Sequence, residues 1–433
     1  MTTQSYPEYR SLGVEWLATV PAHWQDAPLR TLYRRVKRTG YADEMLLSVY
    51  REYGVIEKAS RSDNFNNASE DLDAYQLVTP GDLAINKMKA WQGSVAISEI
   101  RGIVSPAYFI FRPSHSAHNK YLHYLFRSNE YTSAYALISK GVRVNQWDLA
   151  PEPHASMKVL LPPLDEQRQI AEYLDRETGK IDELITKHEQ LVDRLQQRHR
   201  SAIFRLVTKG TNPSAPLKPA PFIWWGEIPE HWTMPKVSFH YSVVLGKMLD
   251  AARSDKPGDI LMPYIRAGNI QEAGLDLGDL NEMPFSPDEV AALDLRKGDL
   301  LVVEGGAVGV NYLISEPIED VSFQKTVNRV RAVDRSSTRF LGYALDVLRF
   351  TGVIDMLCNK STIAHLTADK LGRINIPYPP VGEQEKIVEL LELETAKLDQ
   401  LVSSARNVIN VLHERRAALI SAAVTGKIDV RGL

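Results

Sequence analysis

The sequence predicts an α+β protein built from two similar globular domains, each followed by a long helix, with the two helices pairing as an antiparallel coiled coil about a pseudo-two-fold axis. Three observations carry this expectation. First, PPLDEQRQIAEYLDRETGKIDEL (162–184) returns as PPVGEQEKIVELLELETAKLDQL (379–401), an offset of 217 in a chain of 433 residues. Second, residues 161–210 set against 378–427 give 17 identical pairs in 50 without a gap, among them Glu166/Glu383, Gln167/Gln384, Thr178/Thr395 and Arg198/Arg415. Third, the openings also repeat: Trp16, Pro21, His23 and Trp24 match Trp224, Pro229, His231 and Trp232 at an offset of 208. An internal duplication of this length must be recognised before any other element is assigned.

In chain order, a first globular domain occupies 1–164. It contains the alternating apolar runs LLSVY (46–50) and YFIFR (108–112), which read as strands, and a Gly81-Asp82-Leu83 turn. A helical region follows at 165–210. Pro162-Pro163 disfavours helix before it, Asp165 can cap it, and Lys209-Gly210 ends it. The linker TNPSAPLKPAPF (211–222), with four prolines, is stiff and extended. The second domain, 223–381, carries the strand-like runs DLLVV (299–303) and VNRVRAV (327–333) and the turn Gly298-Asp299-Leu300, which matches the first at offset 217. The offset grows from 208 to 217 between the opening and this turn, so the second half has gained nine residues there. The second helical region and C-terminal tail occupy 382–433, with Gly382 as a cap and Gly426 as a stop.

Apolar residues in the helical regions recur at alternating three- and four-residue steps. Ile170, Leu174, Ile181, Leu184, Leu191 and Leu195 form one stripe, interrupted at Glu177 and His188. Ile387, Leu391, Leu398, Leu401, Val408 and Leu412 form the other, interrupted at Glu394 and Ala405. This is a heptad seam. A straight helix over 165–208 is roughly 65 Å long and has no core of its own, so the duplicated copy is the natural partner for its stripe.

Bulk properties exclude several classes. No run of 18 apolar residues exists and MTTQSYPEYR lacks the pattern of a signal peptide, so the expectation is a cytoplasmic protein with no membrane span. The single cysteine, Cys358, rules out internal disulfides and thiolate-cluster metal sites, and its neighbours Met356 and Leu357 mark it as a small core residue. A net charge of −3 says nothing about partners, because a nucleic-acid binder needs a local basic face rather than a basic average.

Such local faces exist near the turns. RTLYRRVKR (30–38) has five positive residues and no acid, which offers Arg34, Arg35 and Lys37 to phosphates. Lys87, Lys89, Trp91 and Gln92 follow the first Gly-Asp turn, and GVRVNQWDL holds Arg143, Asn145, Gln146 and Trp147. The second half supplies Arg266, Asn269 and Gln271 in PYIRAGNIQ, then Gln324, Lys325, Asn328 and Arg329. Arg, Asn and Gln hydrogen-bond base edges in bidentate fashion, whereas Lys and Arg neutralise phosphates. Each of these residues taken singly also reads as solvated surface.

Catalytic patterns are weaker. DLLVVEGGAVG (299–309) resembles the strand and glycine turn that holds S-adenosylmethionine, but its spacing is Gly-Gly-x-x-Gly and no long helix pattern follows. No Asn-Pro-Pro-aromatic turn for a flipped base is present, and no Pro-Asp…Glu-x-Lys nuclease pattern. His115, His118 and His123 have ligand-like spacing without a carboxylate or cysteine set to complete a metal site. The chain is expected to be non-catalytic, with no metal and no cofactor of its own.

The paired PPxxEQxxI starts, the Trp-x7-Trp openings ending in Pro-Ala-His-Trp and Pro-Glu-His-Trp, the two Gly-Asp-Leu turns and the half-chain repeat resemble, over essentially the whole length, a specificity subunit of a type I restriction-modification system. The resemblance implies that 1–164 and 223–381 are target-recognition domains. Each would read one half of an asymmetric, bipartite site in double-stranded DNA, while the conserved helical regions set the gap between the halves. It further implies two modification (methyltransferase) subunits docked on the helical regions, and restriction (translocase-nuclease) subunits. S-adenosylmethionine, ATP and Mg would be bound by those partners and not by this chain. KMKAWQG (87–93) stands where the second half has EGGAVG (304–309), so base contacts do not carry over from one domain to the other. Two alternatives remain open on the residues alone. One is a duplicated coiled-coil scaffold whose end domains bind proteins; the other is the specificity subunit of a related system with a fused methylase-nuclease partner.

Overall fold

Period-two alternation in four short apolar runs of each half builds one four-stranded antiparallel sheet, and the two sheets have the same strand order. A computed structural model describes residues 4–51, 53–60, 71–141, 147–248, 258–271, 274–358 and 364–432. The candidates Arg143, Asn145 and Gln146 lie outside the described residues. The chain folds as two units, Met1–Glu189 with Arg406–Leu433, and Gln190–Ala405.

In the first unit, β1 (Tyr33–Val36), β2 (Leu83–Asn86), β3 (Val95–Ile97) and β4 (Tyr108–Pro113) lie in the order β1-β4-β2-β3. Successive side chains on a strand point to opposite faces. Leu83, Ile85, Phe109 and Phe111 therefore enter one core with Trp24 and with helices α1 (Asn119–Phe126) and α2 (Asn129–Ile138). Ala84, Ala96, Tyr108 and Ile110 enter another with Leu47, Val49 and Val78. The second unit repeats the plan with β5 (Tyr241–Leu245), β6 (Leu300–Val303), β7 (Asn311–Leu313) and β8 (Val327–Ala332), ordered β5-β8-β6-β7. Leu300, Val302 and Val330 pack on Trp225, Trp232 and helix α4 (Thr338–Phe350), while Leu301, Val303 and Val327 pack on Tyr264, Phe285 and Phe323. The runs 46–50, 108–112, 299–303 and 327–333 thus contribute strands. Within the proline-rich linker, Leu217–Pro219 pairs with Glu227–Pro229.

Two long helices dominate: α3 (Leu164–Lys209, 46 residues) and α5 (Val381–Val424, 44 residues). Their starts explain the Glu-Gln pair of the repeated motif. The buried Glu166 carboxylate accepts from the Tyr6 hydroxyl (2.6 Å) and the Trp24 indole (2.8 Å) and pairs with His23 Nε2 (2.8 Å). Glu383 accepts from Trp232 (3.1 Å) and pairs with His231 (2.9 Å). Gln167 donates to the Pro162 carbonyl and accepts from the His118 amide at the start of α1 (2.8 Å each). Gln384 does the same with Pro379 and Ser337 (2.9 Å each). A third matched contact is ionic, Lys120–Asp175 (2.7 Å) and Arg339–Glu392 (3.2 Å). The motif is a clasp that locks each helix onto the opening and the sheet-to-helix turn of its own domain.

Both helices end at a glycine with positive φ, Gly210 (+71°) and Gly426 (+73°). Each glycine also touches the tryptophan of a Pro-x-His-Trp opening. A Cβ on Gly210 would stand 3.0 Å from the Trp232 ring, and one on Gly426 would stand 2.3 Å from Pro21 and 3.2 Å from Trp24. A side chain at either position is strained by the backbone conformation and crowded by its neighbours, most severely at Gly426. Beyond Gly426 the tail stays folded on the first unit: Ile428 and Val430 are buried, and the Asp429 amide donates to the Gln4 carbonyl (2.7 Å).

Between the clasps and the glycines, α3 and α5 run antiparallel within each unit. In the first, Ile181 and Ile185 pack on Leu412, and the Arg416 guanidinium donates to both oxygens of Asp182 (2.8 and 3.3 Å). In the second, His199 pairs with Asp399 (3.6 Å) and Arg205 with Glu394 (3.8 Å), so numbers rise along one helix as they fall along the other. The duplication maps Asp182–Arg416 onto Asp399–His199.

The seam corrects the sequence reading in phase. Ile170, Leu174, Ile181, Ile387, Leu391, Leu398 and Leu412 are buried and Leu195 is half-buried. Leu184, Leu191, Leu401 and Val408 instead lie on the outside, 40–53% exposed. Thr178 and Thr395 take the inward places expected of Glu177 and Glu394, and Ile185 and Val192 replace Leu184 and Leu191. The cause is two consecutive four-residue steps, 170-174-178 and 387-391-395. There each helix faces its own domain, through Tyr124 onto Asp175 and Thr178 in the first unit. One residue is about 100° of helix rotation, so alternate seam positions move by one residue, to 178, 185 and 192 in α3 and to 395 in α5, while 174, 181, 391, 398 and 412 keep the expected places.

Candidate nucleic-acid interface

The Gly-Asp turn that opens β2 and β6 is a brace, and it sets where the following hairpin points. Asp82 is buried and accepts from the Thr79 amide and hydroxyl (2.8 Å each) and from Arg38, which follows β1. Asp299 is buried and accepts from the Arg296 amide (2.7 Å) and from Arg331 of β8 through Nε and Nη2 (2.6 and 2.7 Å). Each half neutralises its buried turn carboxylate with an arginine, taken from just beyond β1 in the first and from β8 in the second.

At the far end of β2 and β6 the two halves share one further device. The Leu149 amide donates to the Lys87 carbonyl (2.9 Å), and the Leu366 amide donates to the Glu304 carbonyl (2.8 Å). Both pairs sit at the 217-residue offset and both leucines are buried. The bond ties the turn after β2 or β6 to the loop that returns before the long helix. Side chains mounted on this common frame differ completely. In the first half Trp91 and Trp147 meet with ring centroids 5.0 Å apart, Lys87 is half-buried, and Lys89 and Gln92 are exposed. In the second, Glu304 pairs with His365 Nδ1 (3.0 Å), and Gly305 bridges His365 through the backbone. Trp147 was named with its loop, whereas Glu304 and His365 occupy the matched place in the second half although sequence reasoning had not named them as candidates. Their signal was there: positions of maximal divergence between halves flanked by positions of identity.

Other candidates fall on both sides of the line between surface and scaffold. Arg34 and Arg35 are exposed on the edge strand β1, and Lys37 is exposed just beyond it. Arg35 lies 4.1 Å above the Phe109 ring, and Arg34 stands directly opposite Arg112 in the β1–β4 register. Like charges placed opposite one another repel unless an anion joins them. Gln271 and Lys325 are exposed, and Arg266 is held by Asp279 (2.6 Å). Three candidates are corrected to structural roles. Asn269 is buried and donates to the carbonyls of Asp276 and Asp279 while accepting from the Arg266 amide, which closes its own loop. Asn328 is buried and donates to the Leu366 carbonyl (2.8 Å), so it supports the loop from below. Arg329 is buried against Asp294 (2.9 Å) and the Ala292 and Asp294 carbonyls, and burial pulls its guanidinium below the usual value. Asn269 closes a short turn, and Asn328 and Arg329 point to opposite faces of a strand that is covered on both sides, which composition does not reveal.

The histidines of 115–123 are likewise accounted for. His115 packs edge-on against Tyr33 (4.7 Å), and burial together with the neighbouring Arg127 pushes His123 down to about 3. Among the described residues no group of three or more His, Cys, Asp or Glu could hold a metal ion, and no helix is long and apolar enough to cross a membrane.

Comparison with known proteins agrees with this architecture. Residues 242–409 match the family described as type I restriction modification DNA specificity domain. The chain is 24% identical over 382 residues to a putative type I restriction enzyme MjaX specificity subunit of Methanocaldococcus jannaschii, covering 84% of this chain and 81% of that protein. It is 26% identical over 213 residues to the type I restriction enzyme EcoKI specificity subunit of Escherichia coli, covering 47% of this chain and 44% of that one. A chain from a solved structure concerned with complex assembly and conformational transition of the type I R-M system superposes with a TM-score of 0.69 at 15% identity, covering 94% of this chain and 99% of that chain, a likeness of fold. With the duplicated sheets, clasps and antiparallel helices, the chain is similar over most of its length to specificity subunits of type I restriction enzymes, and its second half matches the DNA specificity domain of that family.

Proposed function

We propose that this chain is a DNA sequence-recognition subunit, non-catalytic by itself, in which each domain reads one half of a bipartite, asymmetric double-stranded site. One observation carries the reading. The same hydrogen-bonded frame, Leu149 to Lys87 and Leu366 to Glu304, presents indoles and lysines in one half and a glycine turn with a Glu–His pair in the other. A conserved mount with divergent side chains is what two readers of different base sequences require, since phosphate contacts position a protein and base contacts specify. Arg34, Lys37, Lys89, Gln92, Gln271 and Lys325 are the exposed donors available to that interface. The α3 and α5 helices set the gap between half-sites and offer docking surfaces to two modification subunits. Restriction subunits complete the assembly, with S-adenosylmethionine, ATP and Mg on those partners.

Co-expression with the modification subunit in a methylation-free host, followed by long-read mapping of methyladenine, tests the proposal. A gapped, asymmetric motif methylated on both strands is expected. A stable co-purified complex that methylates nothing overturns sequence reading by this chain and favours a scaffold.

A further inference from the structure

The turn and loop of the first domain bring two indoles and an exposed methionine together at the surface. Trp91 and Trp147 are each half exposed, with rings tilted by 51°. Trp91 is fixed from below: its indole donates to the Met88 carbonyl (3.1 Å), and Ala90 beside it is fully buried. Met88 itself is exposed. Three lysines rim the cluster, Lys87 and Lys89 on the turn and Lys140 on the short strand paired with Asp148. None of the three has an ion-pair partner among the described residues. Scattered exposed apolar residues need no explanation, but two indoles in contact, one of them tied to the backbone, close in the chain to lysines with no ion-pair partner among the described residues call for a ligand that is anionic and apolar at once. Duplex DNA is such a ligand, because phosphates line the groove and thymine alone places a methyl group in the major groove.

We infer that Trp91 and Trp147 form an apolar contact with thymine C5-methyl groups in the first half-site, while Lys87 and Lys89 engage the adjacent phosphates. The inference rests on the DNA-reading function proposed above and names the residues that decide specificity in one half. The matched turn Glu304–Gly309 carries no indole and no lysine, so this pair of contacts is particular to the first domain.

The test uses the full chain co-expressed with its modification subunit and duplexes bearing the mapped site, in which each thymine of the first half-site is replaced singly by deoxyuridine. At least one replacement weakens binding about fourfold, the value for burying one methyl group at about 0.8 kcal/mol. Trp91→Ala and Trp147→Ala abolish the difference between thymine and deoxyuridine, whereas Trp91→Phe retains most of it. Lys87→Ala and Lys89→Ala instead weaken all sequences alike and each lower the salt slope by about one. Unchanged discrimination against a base-pair change in the second half-site shows that the variants remain folded. The inference is overturned by a first half-site without thymine, by wild-type indifference to every replacement, or by a thymine preference that survives Trp91→Ala. Failure of the wild-type complex to bind any DNA sinks the proposed function itself.

Discussion

Glu166 and Glu383 occupy the same place in the two halves, yet replacing them should not cost the same. Glu166→Ala removes the acceptor that, among the described residues, alone serves two buried donors, the Tyr6 hydroxyl and the Trp24 indole. An unsatisfied buried donor costs about 1–3 kcal/mol, so the substitution should destabilise the first unit by about 2–6 kcal/mol. His23, more than a third exposed, turns to water and adds little. Glu383→Ala orphans one buried donor, the Trp232 indole, and leaves His231 half exposed, so the second unit should lose about 1–3 kcal/mol. Hydrogen exchange followed by mass spectrometry separates the two because it reads each unit in the same molecule. In Glu166→Ala, amides of 20–28 and 158–174 should lose protection by more than those of 228–236 and 375–391 lose in Glu383→Ala. Equal losses at the two sites, or protection unchanged at Glu166, would refute the accounting of orphaned donors.

Further outcomes follow from other contacts. His199→Arg makes the second helix pair like Asp182–Arg416 and should raise stability by about 0.2–1 kcal/mol, an effect that high salt removes; a gain insensitive to salt would point to packing instead. Burial holds His154 down to about 4, with both ring nitrogens unpartnered between Phe111 and Tyr135. The folded value lies below the unfolded one, near 6.5, so the stabilising contribution is complete above that value and lost as pH falls toward 4, at up to about 1.4 kcal/mol per pH unit. His154→Leu should therefore flatten the acid limb of denaturation measured from pH 7 to 4, and an unchanged limb would assign it to other groups. Paired seven-residue insertions after Glu189 in α3 and at its counterpart Arg406 in α5 preserve the heptad phase and should lengthen the gap in the methylated motif with both half-site sequences unchanged; altered half-site bases at constant gap would exclude a spacing role for the helices.

Much of this architecture is a consequence of residue pattern, and pattern is local. The duplication, the strands at 83–86, 108–113, 300–303 and 327–332, the starts of α3 and α5 after Pro-Pro and their ends at Gly210 and Gly426 all follow from spacing, alternation and backbone restriction, which act over a few residues. The phase of the helix seam did not follow. Heptad counting put Leu184, Leu191, Leu401 and Val408 inside because apolar residues are assumed to face a partner. The start of each helix faces its own domain instead, and that contact rotates the stripe so that Thr178 and Thr395 turn inward. Site chemistry divides in the same way. Sequence alone located the divergent segment after each Gly-Asp turn, but Asn269, Asn328 and Arg329 look like base readers by type and are scaffold by position. Only the tertiary structure brings Trp147 to Trp91 and His365 to Glu304, across about 60 residues of chain, because the hydrogen bond that joins each loop to its turn is long-range and leaves no mark in the local pattern.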